Sequence, residues 1–263
     1  MTLRDLGSHT PVNEYDRTFF DRVERNALRS GSVVAEKVIE LFHPATVVDV
    51  GCGTGAWLRV FSDRGVSRIL GVDGDWVPRD RLLIPPEQYV AIDLSRSMPV
   101  LNGHDLALSL EVAEHLPNAM AGSLVGCLTA AAPIVLFSAA VPGQGGTHHI
   151  NLQWPWYWRD LFQTRGFVCA DVLRPLLWYD DRVDWVYRQN MFVFLSKDVV
   201  ANYPSVSRYL YRSGGSGGPA VVFEAILRGH ASLDAQPVSA LMGAVAKKVV
   251  RRVKRMALWS KVT

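Results

Sequence analysis

The chain has 263 residues, 49% of them hydrophobic and 20% charged, which leaves room for one large domain, or a domain plus an appendage, with a sizeable core. Its three cysteines, Cys52, Cys127 and Cys169, are isolated, which excludes a disulfide framework and fits reduced thiols in a cytoplasm. The net charge of +3 is unevenly placed: from Ala220 onward eight basic residues face two acidic ones, so the body before it is mildly acidic, against a nucleic-acid-binding face.

Met1 to Arg17 is polar and lacks the apolar segment of a signal peptide, which points to a cytoplasmic location. Residues 15–42 show helical apolar spacing, with Tyr15, Phe19 and Phe20 followed by Val33, Val34, Val38, Ile39, Leu41 and Phe42. Gly31-Ser32 is expected to divide them into two helices. Val47 to Val50 reads as a buried parallel strand. Gly51, Gly53 and Gly55 then alternate before a helical pattern from Ala56 to Arg64, so the glycines fall at a strand-to-helix turn. Gly51, Gly53 and Ala56 also satisfy the dinucleotide fingerprint, so the spacing alone is ambiguous.

The acidic residues narrow it. Asp49 sits on the strand itself, where a buried carboxylate could accept hydrogen bonds from a cationic group such as the amino group of a methionine moiety. A second strand, Arg68 to Val72, ends at Asp73, about twenty residues on, where an acid can take ribose hydroxyls. Asp93 follows a third short run, Tyr89 to Ile92. A fourth strand, Asp105 to Leu110, leads into Glu111-Val112-Ala113-Glu114-His115-Leu116, expected as a helix.

In that order, VVDVGCGTG, GVDGD, AIDLS and LEVAEHL resemble the S-adenosylmethionine-dependent methyltransferases of the Rossmann-like class, over roughly residues 15–196. The resemblance implies a three-layer α/β sandwich around a mostly parallel seven-stranded sheet with one antiparallel edge strand. It implies that Asp49, Gly51, Gly53 and Gly55 hold the methionine end of the donor and Asp73 the ribose. Asp93 with Ile92 and Leu94 would hold the adenine, and Leu110 and Glu111 would close the pocket beneath. It also implies an N-terminal helical lid over the cofactor, at residues 1–43 of a catalytic domain spanning 1–212.

Trp76 to Glu87, with three prolines, reads as a loop or short helix. A helix is expected over Ala119 to Ala131, then a strand from Ile134 to Ala139. The apolar run Leu128 to Val141 is interrupted and shorter than the roughly 18 residues that suggest a membrane span. Val141 to Asn151 carries Gly143, Gly145 and Gly146 and falls at the carboxyl end of a strand, where open α/β sheets bind ligands. A helix runs through Gln163, the last two strands are expected over Phe167–Val172 and Met191–Leu195 as an antiparallel pair, and Leu176 to Gln189 reads as an insertion over the site. A short helix is placed within Tyr203 to Arg212. Residues 213–219 form a Gly/Ser linker. Beyond it, in the segment 220–263, residues 238–259 form a basic amphipathic helix suited to a membrane surface or a protein partner.

A hydroxyl acceptor needs a base or a metal to remove its proton. His149 is the favoured base: it sits in the glycine loop, and His149-Ile150-Asn151 resembles an H-V-N run in bacterial methyltransferases of this class. His115 and Glu114 are further catalytic candidates. The stretch from Gly143 to Trp158 resembles methyltransferases found among sugar-modifying genes, which implies a sugar-like or other small polar acceptor. His148, Trp156 and Tyr157 are the candidate acceptor contacts, the aromatics as stacking surfaces. Glu111, Glu114 and His115 would share one helical face and, with His149, make a mixed O/N metal site. E-x-x-E-H also resembles the metal-binding pattern of small-RNA 2′-O-methyltransferases. Metal-free transfer to a small-molecule hydroxyl is preferred here. The alternatives are a divalent-metal-dependent RNA 2′-O-methyltransferase and a small-molecule N-methyltransferase.

Overall fold

The structure, a computed structural model, describes residues 17–211, with side chains from residue 24 onward. The linker at 213–219, the tail at 238–259 and the side chains of Tyr15, Phe19 and Phe20 lie outside what is described. Seven strands form one sheet: β1 (Thr46–Val50), β2 (Arg68–Asp73), β3 (Tyr89–Ala91), β4 (Leu106–Leu110), β5 (Ile134–Ser138), β6 (Phe167–Ala170) and β7 (Phe192–Ser196). Their order is β3-β2-β1-β4-β5-β7-β6. All neighbouring pairs are parallel except β5·β7 and β6·β7, so β7 is the one antiparallel strand and it makes that end of the sheet an antiparallel pair.

The central strands are mostly apolar because both faces are covered. On one face Val47, Leu106, Leu108, Ile134, Leu136, Val193 and Leu195 pack under helices α1 (Arg17–Phe42) and α2 (Ala56–Asp63). On the other, Val48, Val50, Ala107, Val135, Phe137, Phe192 and Phe194 meet α3 (Ala121–Ala131) and α4 (Pro155–Thr164). Phe162 of α4 stacks on Phe194 of β7 with ring centroids 3.8 Å apart, which seats α4 over the antiparallel end. The strand order reverses between β1 and β4, which leaves a crevice at their carboxyl ends.

Helix α1 is continuous through Gly31, contrary to the expected division there. A Cβ at Gly31 would stand 3.3 Å from the Trp57 ring, so the glycine lets α1 and α2 approach closely and does not mark a break. Short helices α5 (Arg174–Leu177) and α6 (Trp185–Asn190) occupy the expected insertion, and α7 (Pro204–Ser207) follows β7. No helix among the described residues is long and apolar enough to cross a membrane.

Candidate active site

The crevice is lined first by the turn after β1. Gly51, Gly53 and Gly55 all have positive φ, at 87°, 54° and 84°, which only glycine adopts freely. Gly51 has a second constraint, because a Cβ there would lie 2.4 Å from Val112. At Gly53 an added Cβ meets nothing within 4 Å, so its conformation, and not crowding by the protein, calls for glycine. The turn is tied to β2: the N–H groups of Gly51 and Cys52 donate to the Val72 carbonyl at 2.7 and 3.1 Å.

Asp49 is 2% exposed and accepts no hydrogen bond among the described residues. Burial, then the charge of Asp73, push its pKa up to about 7. A buried carboxylate left without a donor is costly, and such groups collect at ligand sites. Asp73 is better satisfied, its two oxygens accepting the N–H groups of Gly53 and Gly74 at 2.7 Å each. Burial raises its pKa while those two bonds lower it. Asp93 closes its own turn: Oδ1 takes the Ser95 N–H at 3.0 Å and the Ser95 hydroxyl at 2.6 Å, and Arg96 stands 3.1 Å from Oδ2. Ile92 is drawn to Asp73 through its N–H, 2.7 Å from the Asp73 carbonyl, while Leu94 is buried.

After β4, whose last residue Leu110 is buried, the chain departs from expectation. Glu111 has φ of 56° and no helix begins there; only Ala113–His115 form a 3-10 turn. The Glu111 N–H donates to the Ser138 carbonyl and hydroxyl at 3.0 and 3.1 Å, which ties the residue to the end of β5. Its carboxylate accepts from Gln144 Nε2 at 3.1 Å and from Asn190 Nδ2 at 3.2 Å. The shared helical face expected for Glu111, Glu114 and His115 is therefore not formed, and Glu111 is absent from the cluster that the other two make.

That cluster is Glu114, His115 and His149, each offering one ligand atom, all within 4.8 Å of one another. The loop carrying His149 is fastened to the turn by Ile150 and Asn151, whose N–H groups both donate to the Glu114 carbonyl, at 2.8 and 3.0 Å. The buried Asn151 side chain adds a bond to the Ala113 carbonyl at 3.3 Å. The two imidazoles meet edge to face with centroids 5.0 Å apart. The His149 ring lies across Gly146, where a Cβ would come within 2.1 Å of it. Burial lowers the His149 pKa, opposed by a hydrogen bond with the Gln144 backbone. Burial, then His149, lower that of His115 to about 4. Glu114 is fully buried with neither oxygen partnered among the described residues; burial and the Glu111 charge hold its pKa well above the usual carboxylate range. At neutral pH the lowered pKa values leave both imidazoles neutral, beside a carboxyl whose ionisation burial opposes.

Of the remaining candidates, His148 is exposed with φ of 56°. Tyr157 donates its hydroxyl to Asn118 at 2.7 Å, tying α4 to the segment after His115. Trp156 is partly exposed and stacks on Trp154 with centroids 5.2 Å apart, whereas Trp158 belongs to the core. Sequence reasoning missed Gln144 and Asn190, which satisfy Glu111, and Asn151 as the loop fastener. The H-I-N run flagged Asn151 only as part of a motif; nothing in the sequence marks Asn190.

A family model described as a methyltransferase domain matches residues 14–166, and the chain belongs to that family. It is an S-adenosylmethionine-dependent methyltransferase. Among solved structures, Streptomyces venezuelae DesVI superposes with a TM-score of 0.50 at 14% identity, over 69% of this chain and 96% of that one. An O-methyltransferase family protein from Burkholderia thailandensis gives a TM-score of 0.50 at 13% identity, over 69% of this chain and 60% of its own length. The methyltransferase domain of a bacterial Hen1 protein gives 0.46 at 18% identity, over 64% and 98%. A sequence search of curated proteins finds no match.

Proposed function

We propose that the protein moves the methyl group of S-adenosylmethionine to a hydroxyl of a small polar acceptor, a sugar or natural-product intermediate, with His149 as general base. The observation that supports this is the neutral His149 imidazole, held by the loop after β5 beside His115 and Glu114 at the carboxyl edge of the sheet. The acceptor oxygen attacks the methyl carbon in line with the departing sulfur; His149 takes the hydroxyl proton, and the sulfonium leaves as a neutral thioether. Asp49 takes the donor's amino group, and the turn at Gly51, Gly53 and Gly55 admits the methionine end. Asp73 keeps lone pairs for the ribose diol beyond the two N–H groups it already holds. Asp93, Ile92 and Leu94 border the adenine, and Leu110 and Glu111 lie beneath. His148, Trp156 and Tyr157 flank the acceptor.

The test is a screen of nucleotide sugars and phenols with labelled donor. With the acceptor so found, His149→Ala should slow turnover by roughly 10²–10⁴-fold, the usual contribution of a positioned base, and leave S-adenosylhomocysteine affinity unchanged. Normal turnover by that variant would remove His149 as the base.

A second reading is favoured by the ligand atoms of Glu114, His115 and His149 within 4.8 Å and by the unpartnered Glu114 oxygens. A divalent cation held there would acidify an acceptor hydroxyl, an RNA 2′-hydroxyl included. Calorimetric titration with manganese(II) separates the two: under this reading heat is seen, and Glu114→Ala, His115→Ala and His149→Ala each abolish it.

A further inference from the structure

Helix α6 has a hydrogen-bonded junction at each end. At its start Asp184 caps the helix and accepts from the Asn26 side chain of α1 at 2.7 Å, while its N–H donates to Ser30 of α1 at 2.9 Å. Arg29 of α1 adds bonds to the carbonyls of Asp181 and Arg182. At the other end Asn190, 3% exposed, donates to the Glu111 carboxylate at 3.2 Å and to Gln144 Oε1 at 2.9 Å. Gln144 in turn donates to Glu111 at 3.1 Å and belongs to the loop, after β5, that carries His149. The six residues of α6 span only ~9 Å at 1.5 Å per residue. Within its length Tyr187 meets Trp57 of α2 edge to face at 5.1 Å.

We propose that α6 is a strut that couples the seating of α1 to the placement of His149, with Asn190 and Gln144 as positioning residues. The buried Glu111 carboxylate is satisfied by two amides that come from different segments, α6 and the loop after β5. Withdrawing Asn190 leaves that charge short of a donor, which in a low-dielectric site costs more than the bond itself contributes. Gln144 then loses both its partner Asn190 and a fixed Glu111, and the loop that carries His149 is no longer held at its start. The same strut carries the Asp184 junction, so displacement of α1 reaches the loop of His149 through α6 and the hydrogen bonds of Asn190 with Gln144 and Glu111. The catalytic consequence rests on the reading of His149 as base; the mechanical coupling does not.

The experiment needs no acceptor. Asn26→Ala, Asn190→Leu, Asn190→Asp and the double variant Asn26→Ala/Asn190→Leu are compared with the full-length protein. Amide hydrogen exchange is followed over residues 24–36 and 141–151, together with ¹⁵N-histidine spectra and S-adenosylhomocysteine affinity. Asn190→Leu should speed exchange about tenfold or more in both segments, since it removes a buried partner of both the Glu111 carboxylate and Gln144. Asn26→Ala should speed exchange in 141–151 severalfold, although that loop does not touch Asn26. The double variant should fall short of the product of the two single effects. The His149 ring nitrogens should move toward averaged tautomer shifts in Asn190→Leu, and less so in Asn26→Ala. Lys37→Ala, on the exposed side of α1, is the control and should change nothing in 141–151. Exchange in 141–151 within twofold of wild type for Asn26→Ala, or single effects that multiply, would overturn the coupling. Should Asn190→Leu fail to fold, Asn190→Asp and Asn26→Ala decide by the same readings. If His149→Ala turns over normally while these couplings appear, the base assignment falls and the strut stands.

Discussion

Asp49→Asn isolates a buried acid of the donor crevice whose pKa is strongly raised. In the free protein the Asp49 pKa stands at about 7 instead of 3.8. At 1.36 kcal/mol per pKa unit that gap corresponds to ~4 kcal/mol of destabilisation when the group is ionised. The sign follows from linkage: the folded state binds the extra proton, so stability is full below the ordinary value and is lost as pH rises through about 7. The amide removes this dependence, at a cost of ~1–3 kcal/mol for burying an unpartnered polar group. Net, Asp49→Asn should be more stable than wild type by roughly 1–3 kcal/mol at pH 8 and no more stable near pH 4. Urea unfolding from pH 4 to 8 measures the difference, and the two curves should diverge between those limits and run parallel above. Curves that stay parallel throughout would refute the reasoning. The same acid makes donor binding pH-dependent. If an ionised Asp49 takes the amino group, S-adenosylhomocysteine should bind wild type about tenfold more weakly at pH 6 than at pH 8. The variant should bind weakly at both.

The glycines of the first turn should separate by mechanism. Gly51→Ala meets Val112 at 2.4 Å and should unfold the turn or the domain in thermal melts. Gly53→Ala, with open space around its Cβ, should lower stability by only ~1 kcal/mol from its left-handed backbone. Asp93→Ala, which loses a local turn and an exposed ion pair, should leave the melting temperature nearly unchanged and reveal any adenine contact as weakened S-adenosylhomocysteine binding in calorimetry. Truncation after Arg212 should keep that affinity and, if the basic segment 238–259 docks on anionic surfaces, abolish liposome cosedimentation.

The strands and the first turn were legible because their causes are local. A parallel strand covered on both faces is apolar along most of its length, so Val47–Val50, Leu106–Leu110 and Ile134–Ser138 announce themselves. A turn with three positive φ angles must be built on glycine, so Gly51, Gly53 and Gly55 do too. The helix breaks were not legible. Gly31 reads as a boundary on propensity, yet its role is to admit Trp57 of a different helix. Glu111 reads as the first residue of a helical face, but Ser138, from the neighbouring strand, captures its N–H and turns it into a left-handed conformation.

From the sequence alone came the order of the acids along the strands and the loop that carries His149, each from spacing within a few residues, while the class of sheet came from the resemblance to a known family. Only the tertiary structure brought Glu114, His115 and His149 within 4.8 Å of one another and sent Glu111 elsewhere. It also revealed that Asn190, which lies 79 residues from Glu111, completes its hydrogen bonding. Contacts between segments so far apart depend on how the strands are ordered and how closely the helices approach, and no local pattern in the chain records either.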